Sequence, residues 1–64
     1  MTDILYQAGD YWVTREQFGK TSGYAVYQNT GTHAKRVASI GYSGEVGLAR
    51  AIQEADRRHN AAKR

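Results

Sequence analysis

Residues 24–58, YAVYQNTGTHAKRVASIGYSGEVGLARAIQEADRR, decide the fold of this chain. Two strand-like runs come first, separated by the turn formers Asn29, Thr30 and Gly31. Tyr24 to Gln28 carries residues that suit a pleated, half-buried surface. A three-residue hairpin loop places its last residue in the left-handed region, which glycine enters without a side-chain clash. With Gly31 in that role, Gln28 faces Thr32. Tyr27 then lies opposite His33, Val26 opposite Ala34, Ala25 opposite Lys35, and Tyr24 opposite Arg36. Alternation sorts the side chains onto two faces. Tyr24, Val26, Ala34, Ala38 and Ile40 make the better core face, while Ala25, Tyr27, His33, Lys35, Val37 and Ser39 point the other way. Arg36 is the misfit. It is accommodated if its stem covers apolar surface from the rim, or if a bulge shifts the register.

After Ile40 the period changes. Gly41 to Gly44 stop the strand, Ser43 is a natural helix N-cap, and Glu45 suits the positive end of the helix dipole. Leu48, Ile52, Ala55 and His59 fall on one stripe with Ala51 beside it, and Arg50, Gln53 and Arg57 fall opposite. Glu54 and Arg58 form a favourable pair one turn apart. Such a one-sided helix is made to cover one face of a sheet.

Upstream, Asp10 to Glu16 reads as another strand, rich in Tyr11, Trp12, Val13 and Thr14. Gln17 to Ser22 reads as a loop punctuated by Gly19 and Gly23, with Phe18 tucking back as a lid on the core edge. Residues 1–9 form either an extra edge strand around Ile4, Leu5 and Tyr6 or a loose arm. The expected architecture is α+β: an antiparallel sheet of three strands, or four with that extra edge, and one C-terminal α-helix packed on one face. All of residues 1–64 form one small domain, and residues 59–64 form a basic tail.

A chain of 64 residues buries only about 60% of the surface its unfolded form exposes. It has no cysteine, so neither a disulfide nor a thiolate metal site reinforces it. That composition fits a reducing, cytoplasmic setting. No apolar run approaches the ~20 residues of a membrane span, and no signal peptide precedes the domain. The net charge is +3, but it is unevenly placed. Residues 57–64 hold Arg57, Arg58, Lys63 and Arg64 and no acid, which is +4. Residues 1–56 hold five bases against six acids, which is −1. The basicity is therefore a property of the C-terminal end.

The residues supply no recognisable catalytic set. His33 and His59 fall on different elements, no nucleophile–base arrangement is suggested, and Gly41, Gly44 and Gly47 lack the dinucleotide fingerprint. Neither a metal nor a cofactor nor a small-molecule substrate is expected. His59 reads as a helix-end residue that meets the last carbonyls.

The sheet face left bare by the helix carries the chemistry. With Tyr11 and Val13 in the core, Trp12 joins Tyr27, His33 and Lys35 there, with Arg15 and Lys20 at the rim. Aromatic rings offer stacking surfaces to bases, and basic side chains reach phosphates. The size of Trp12 favours the opposite assignment, in which it is buried and Tyr11, Val13 and Arg15 face outward. The same bare face would equally suit a protein partner or a second copy of the chain. The basic end, with Arg57 and Arg58, either adds salt-sensitive affinity for phosphate or complements the helix dipole.

The order strand, strand, strand, helix, with Ile40-Gly41-Tyr42 leading into Leu48-Ala49-Arg50-Ala51-Ile52, resembles two related DNA-binding modules. These are the plant ethylene-response-factor domain and the arm-binding domain at the amino end of phage and transposon integrases. The resemblance is one of layout and spans Tyr11 to Arg58. It implies a helix on one side of a three-stranded sheet whose other side enters the major groove. Lys35, Tyr27, His33 and Trp12 or Arg15 would then be the contacts. The leading expectation is a small non-enzymatic module that binds nucleic acid through the helix-free face and the basic tail. The alternative is a homodimerising or partner-binding adaptor that buries the same face.

Overall fold

The computed structural model describes residues 4–62. The chain runs β1 (Ile4–Ala8), β2 (Tyr11–Phe18), β3 (Thr21–Asn29), β4 (Ala34–Ile40) and α1 (Gly44–Ala62). The strands form one antiparallel sheet in the order β1-β2-β3-β4, and the helix lies across one face of it. The α+β reading therefore holds, and residues 4–8 supply the fourth strand.

Two tight turns build the first three strands. Ala8 pairs with Tyr11 and Phe18 with Thr21, so only Gly9-Asp10 and Gly19-Lys20 remain between strands. Gly9 and Gly19 sit at φ 60° and 62°, and Asp10 and Lys20 stay at negative φ. A two-residue turn with glycine first matches the right-handed twist of the flanking strands. The expected loop over residues 17–22 is thus a hairpin, and β2 and β3 run longer than the hydrophobic pattern indicates.

The β3–β4 register corrects the expected one. The loop is Thr30 to His33 rather than three residues ending at Gly31, although Gly31 does take a positive φ of 96°. Thr30 N–H donates to the His33 carbonyl at 3.0 Å, and the Thr30 hydroxyl donates to the same oxygen at 2.8 Å. Tyr24 consequently pairs with Ile40, Ala25 with Ser39 and Val26 with Ala38. A bulge then intervenes, and Tyr27 pairs with Arg36, Gln28 with Lys35 and Asn29 with Ala34. One extra residue, Val37, reverses the facing of everything before it in β4. Arg36 thereby leaves the helix-covered side, which removes the misfit.

The core is small. Val13 and Val26 are fully buried beside Tyr24, Ala51 and Ala55, with Tyr6, Tyr11, Val37, Ala38, Ile40 and Leu48 packed around them. Each buried valine contributes ~2 kcal/mol of transfer free energy. Val13 rather than Trp12 faces the helix, so the placement of Trp12 in the core is overturned. The β2–β3 register couples Val13 to Val26 on one side and Trp12 to Tyr27 on the other. The buried line of the helix is Gly47, Ala51 and Ala55, with Leu48, Ile52 and His59 flanking it. The helix thus approaches through its smallest residues, turned slightly from the expected stripe.

Gly47 has no room for a side chain. A Cβ there would collide with the Tyr42 carbonyl and meet the Tyr24 ring at 3.0 Å. The Tyr24 hydroxyl donates to the Gly44 carbonyl at 3.2 Å, and the Tyr6 hydroxyl donates to Asp56 at 2.5 Å. The two phenols fasten the helix near its start and over β1. His59 lies against Gly9, where any β-carbon would strike its ring. It serves as a packing residue over the first hairpin turn rather than as a cap for the last carbonyls. The helix continues to Ala62, so residues 59–62 are helical rather than tail. Lys63 and Arg64 lie outside the described residues.

Replacing Gly47 by alanine should add ~1 kcal/mol of helix propensity yet lower stability by about 1–3 kcal/mol net, because overpacking dominates. Ala49→Gly on the exposed side should lose ~1 kcal/mol through propensity alone. Urea unfolding of the two variants checks this, and a Gly47→Ala protein as stable as the parent contradicts it.

Candidate nucleic-acid interface

The helix covers the side of the sheet that carries Val13, Tyr24 and Val26. Strand alternation and register place Gln7, Trp12, Glu16, Phe18, Tyr27, Arg36 and Ser39 on the reverse, over the small residues Thr14, Gly23 and Ala25. Trp12 and Tyr27 are cross-strand neighbours on the two central strands. Their ring centroids are 6.1 Å apart and their planes differ by 16°. Both are half-buried, and such a pair adds about 0.5–1.5 kcal/mol beyond the area it covers.

Tyr27 reaches further than its partner. Its hydroxyl donates to the Glu16 carboxylate. Glu16 lies four residues along β2 from Trp12, about 13 Å away. Both side chains therefore lean toward one another along the sheet, and the phenol crosses the rung formed by Thr14 and Ala25. This accounts for the burial of Thr14 and Ala25, at 3% and 0% exposure, on the side without a helix. The Thr14 hydroxyl beneath finds no hydrogen-bond partner among the described residues. Phe18 folds similarly over Gly23, where a Cβ would lie 2.8 Å from its ring and would strike the Ile40 carbonyl.

The cations are placed differently from expectation. Arg36 stands opposite Tyr27 on the bare face and is exposed. Lys35, expected there, pairs with Gln28 and belongs to the helix side of the sheet. His33 lies in the exposed β3–β4 loop, with Nδ1 2.9 Å from the Thr32 hydroxyl. Arg15 stands opposite Tyr24 on the helix side and borders a cavity with Ser22, Ser43 and Gly44. Lys20 occupies the second hairpin turn and is exposed. Arg57 and Arg58 both contact Glu54 Oε1, at 2.5 and 3.0 Å, which offsets part of their charge. Of the eight candidates, only Trp12 and Tyr27 lie on the bare face itself.

Arg36 and Glu16 are the residues that sequence reading missed on this face. Glu16 shares the parity of Trp12 within β2, so alternation carried the signal once Val13 was assigned inward. Arg36 required the bulge. Among the described residues, no three His, Asp or Glu side chains gather as a metal site would require, and no helix is long and apolar enough to cross a membrane. Comparison with known proteins produced no match to a family model, a curated protein or a solved structure.

The Tyr27 hydroxyl is raised above the ordinary phenol value, first by its bond to Glu16 and then by burial. Tyr6 is raised in the same way by Asp56. A phenol with a raised folded-state pKa contributes stability that is complete below its unfolded value of about 10 and is lost as pH climbs through the folded value. Of the five tyrosines, Tyr6 and Tyr27 should ionise late in an ultraviolet titration. Glu16→Ala should return one of those two to the ordinary range. An unchanged titration curve in that variant contradicts the assignment.

Proposed function

We propose that this protein is a small binding module that contacts nucleic acid through the helix-free face of its sheet. The observation that carries the reading is the Trp12–Tyr27 pair on the two central strands, with Arg36 directly opposite Tyr27. A sheet with aromatic rings on its middle strands is a stacking platform for bases, and a guanidinium at its edge reaches a phosphate or a base edge. The likeness in layout to the three-stranded sheet and helix of ethylene-response-factor and integrase arm-binding domains supports the same side of the sheet. In those modules, too, the helix occupies the other side. Lys20 and His33, in the turns at opposite ends of the long strands, extend the surface along a bound strand.

A second reading is favoured by the charge of the face. Register places one base, Arg36, and one acid, Glu16, there, and they cancel. A neutral aromatic surface also suits burial against a second copy of the chain, since aromatics are enriched at protein interfaces. Sedimentation from micromolar to millimolar concentration separates the two, because a strict monomer throughout excludes self-association.

Trp12 is the only tryptophan, so its fluorescence reports directly on the face. Titration with duplex and single-stranded oligonucleotides at low salt should quench or shift the emission, and added salt should weaken binding. Trp12→Ala should cost about 1–3 kcal/mol of affinity, and Arg36→Ala should reduce the salt slope by about one if Arg36 meets a phosphate. Failure to bind either form at low salt rejects the reading.

A further inference from the structure

The geometry points to Glu16 as a base-selecting residue, one that accepts a hydrogen bond from the exocyclic amine of a base, cytosine foremost, and disfavours thymine, which presents a keto oxygen at the same ring position. This rests on the nucleic-acid reading above and adds the chemistry of the ligand to it.

Glu16 is the single acid that strand register places on the bare face. It makes no ion pair among the described residues, where both ion pairs belong to Glu54. A carboxylate on a surface that approaches phosphates opposes binding to every sequence alike. It favours binding only where it meets a hydrogen-bond donor. Ionised, it is acceptor-only, so it pairs with an amine and repels a keto oxygen. Cytosine presents an amine in this way, whereas thymine presents a keto oxygen.

The carboxylate is also held in place. Tyr27 donates to Oε1, which leaves Oε2 with no partner among the described residues. Tyr27 is itself stacked on Trp12. Trp12, Tyr27 and Glu16 therefore form one line across the face: two rings on which a base can stack, then an oriented acceptor at their end. An acceptor ordered before the ligand arrives loses less entropy on binding.

A tether for Tyr27 is the competing role for Glu16, and one substitution separates the two. In Glu16→Gln the amide oxygen still accepts from Tyr27, but the amide group can also donate to a keto oxygen. The test compares oligodeoxycytidylate with oligothymidylate of about twelve nucleotides, followed by Trp12 fluorescence at low salt. The parent should bind the cytosine oligomer roughly tenfold more tightly. Glu16→Gln should bring the two affinities within about twofold, chiefly by tightening binding to the thymine oligomer. Tyr27→Phe keeps the ring and frees the carboxylate, so it should lose part of the preference without losing the fold, as circular dichroism would show. Equal binding of the two oligomers by the parent, or a preference that Glu16→Gln leaves intact, overturns the role of Glu16 while the binding function stands. Absence of binding to either oligomer and to duplex overturns the function itself.

Discussion

The structure depends on how closely the helix can lie on the sheet. The buried helix residues Gly47, Ala51 and Ala55 pack on the sheet face that carries Val13, Tyr24 and Val26. A chain this short has few large side chains with which to fill a wider gap. That packing buries Val13 and Val26 fully and Tyr24 nearly so. It also makes the contact intolerant, since at Gly47 a single added carbon would meet the Tyr24 ring at 3.0 Å, besides striking the Tyr42 carbonyl in the loop before the helix. The phenols of Tyr6 and Tyr24 then hold the helix by polar contacts to Asp56 and to the Gly44 carbonyl.

That contact defines the other side of the sheet. Once Val13 turns toward the helix, Trp12 must turn away, because neighbouring residues in a strand point to opposite faces. Trp12 then gains its partial burial from Tyr27 instead of from the core. The bare face thus has a small apolar layer of its own. Phenol and indole rings, with Phe18 over Gly23, shield Thr14, Ala25 and the backbone beneath. Glu16 and Arg36 are the charged groups that register places at the margins of this layer.

The bulge at Val37 decides which cation belongs to that face. Without it Val37 would stand opposite Tyr27 and Lys35, opposite Asn29, would be the cation of that face; with it Arg36 stands opposite Tyr27. The exchange matters chemically. A guanidinium presents a planar fork of donors suited to guanine or phosphate, whereas an ammonium is a point charge. The C-terminal cations are less available than their number indicates, because Arg57 and Arg58 share Glu54 within the helix. Glu54 is accordingly held below the usual carboxylate range, first by its bond to Arg57 and despite opposing burial.

Local chemistry alone determined the order of the last three strands and the helix, the outward side of that helix with Arg50, Gln53 and Arg57, a turn around Thr30 and Gly31, and Tyr24, Val26, Ala38 and Ile40 as one face. Each of these follows from a period or a turn residue acting over a few positions. The length of the β3–β4 loop, the Val37 bulge, the side taken by Trp12 and the joining of Tyr27 to Glu16 were decided by tertiary structure. Strand propensity is nearly symmetric about the two faces, so Tyr11-Trp12-Val13 reads equally well either way. Only the narrow space under a glycine–alanine helix favours the compact valine over the indole. A one-residue bulge leaves composition unchanged and reverses facing, and its placement is set by what the pairing of all four strands can satisfy together.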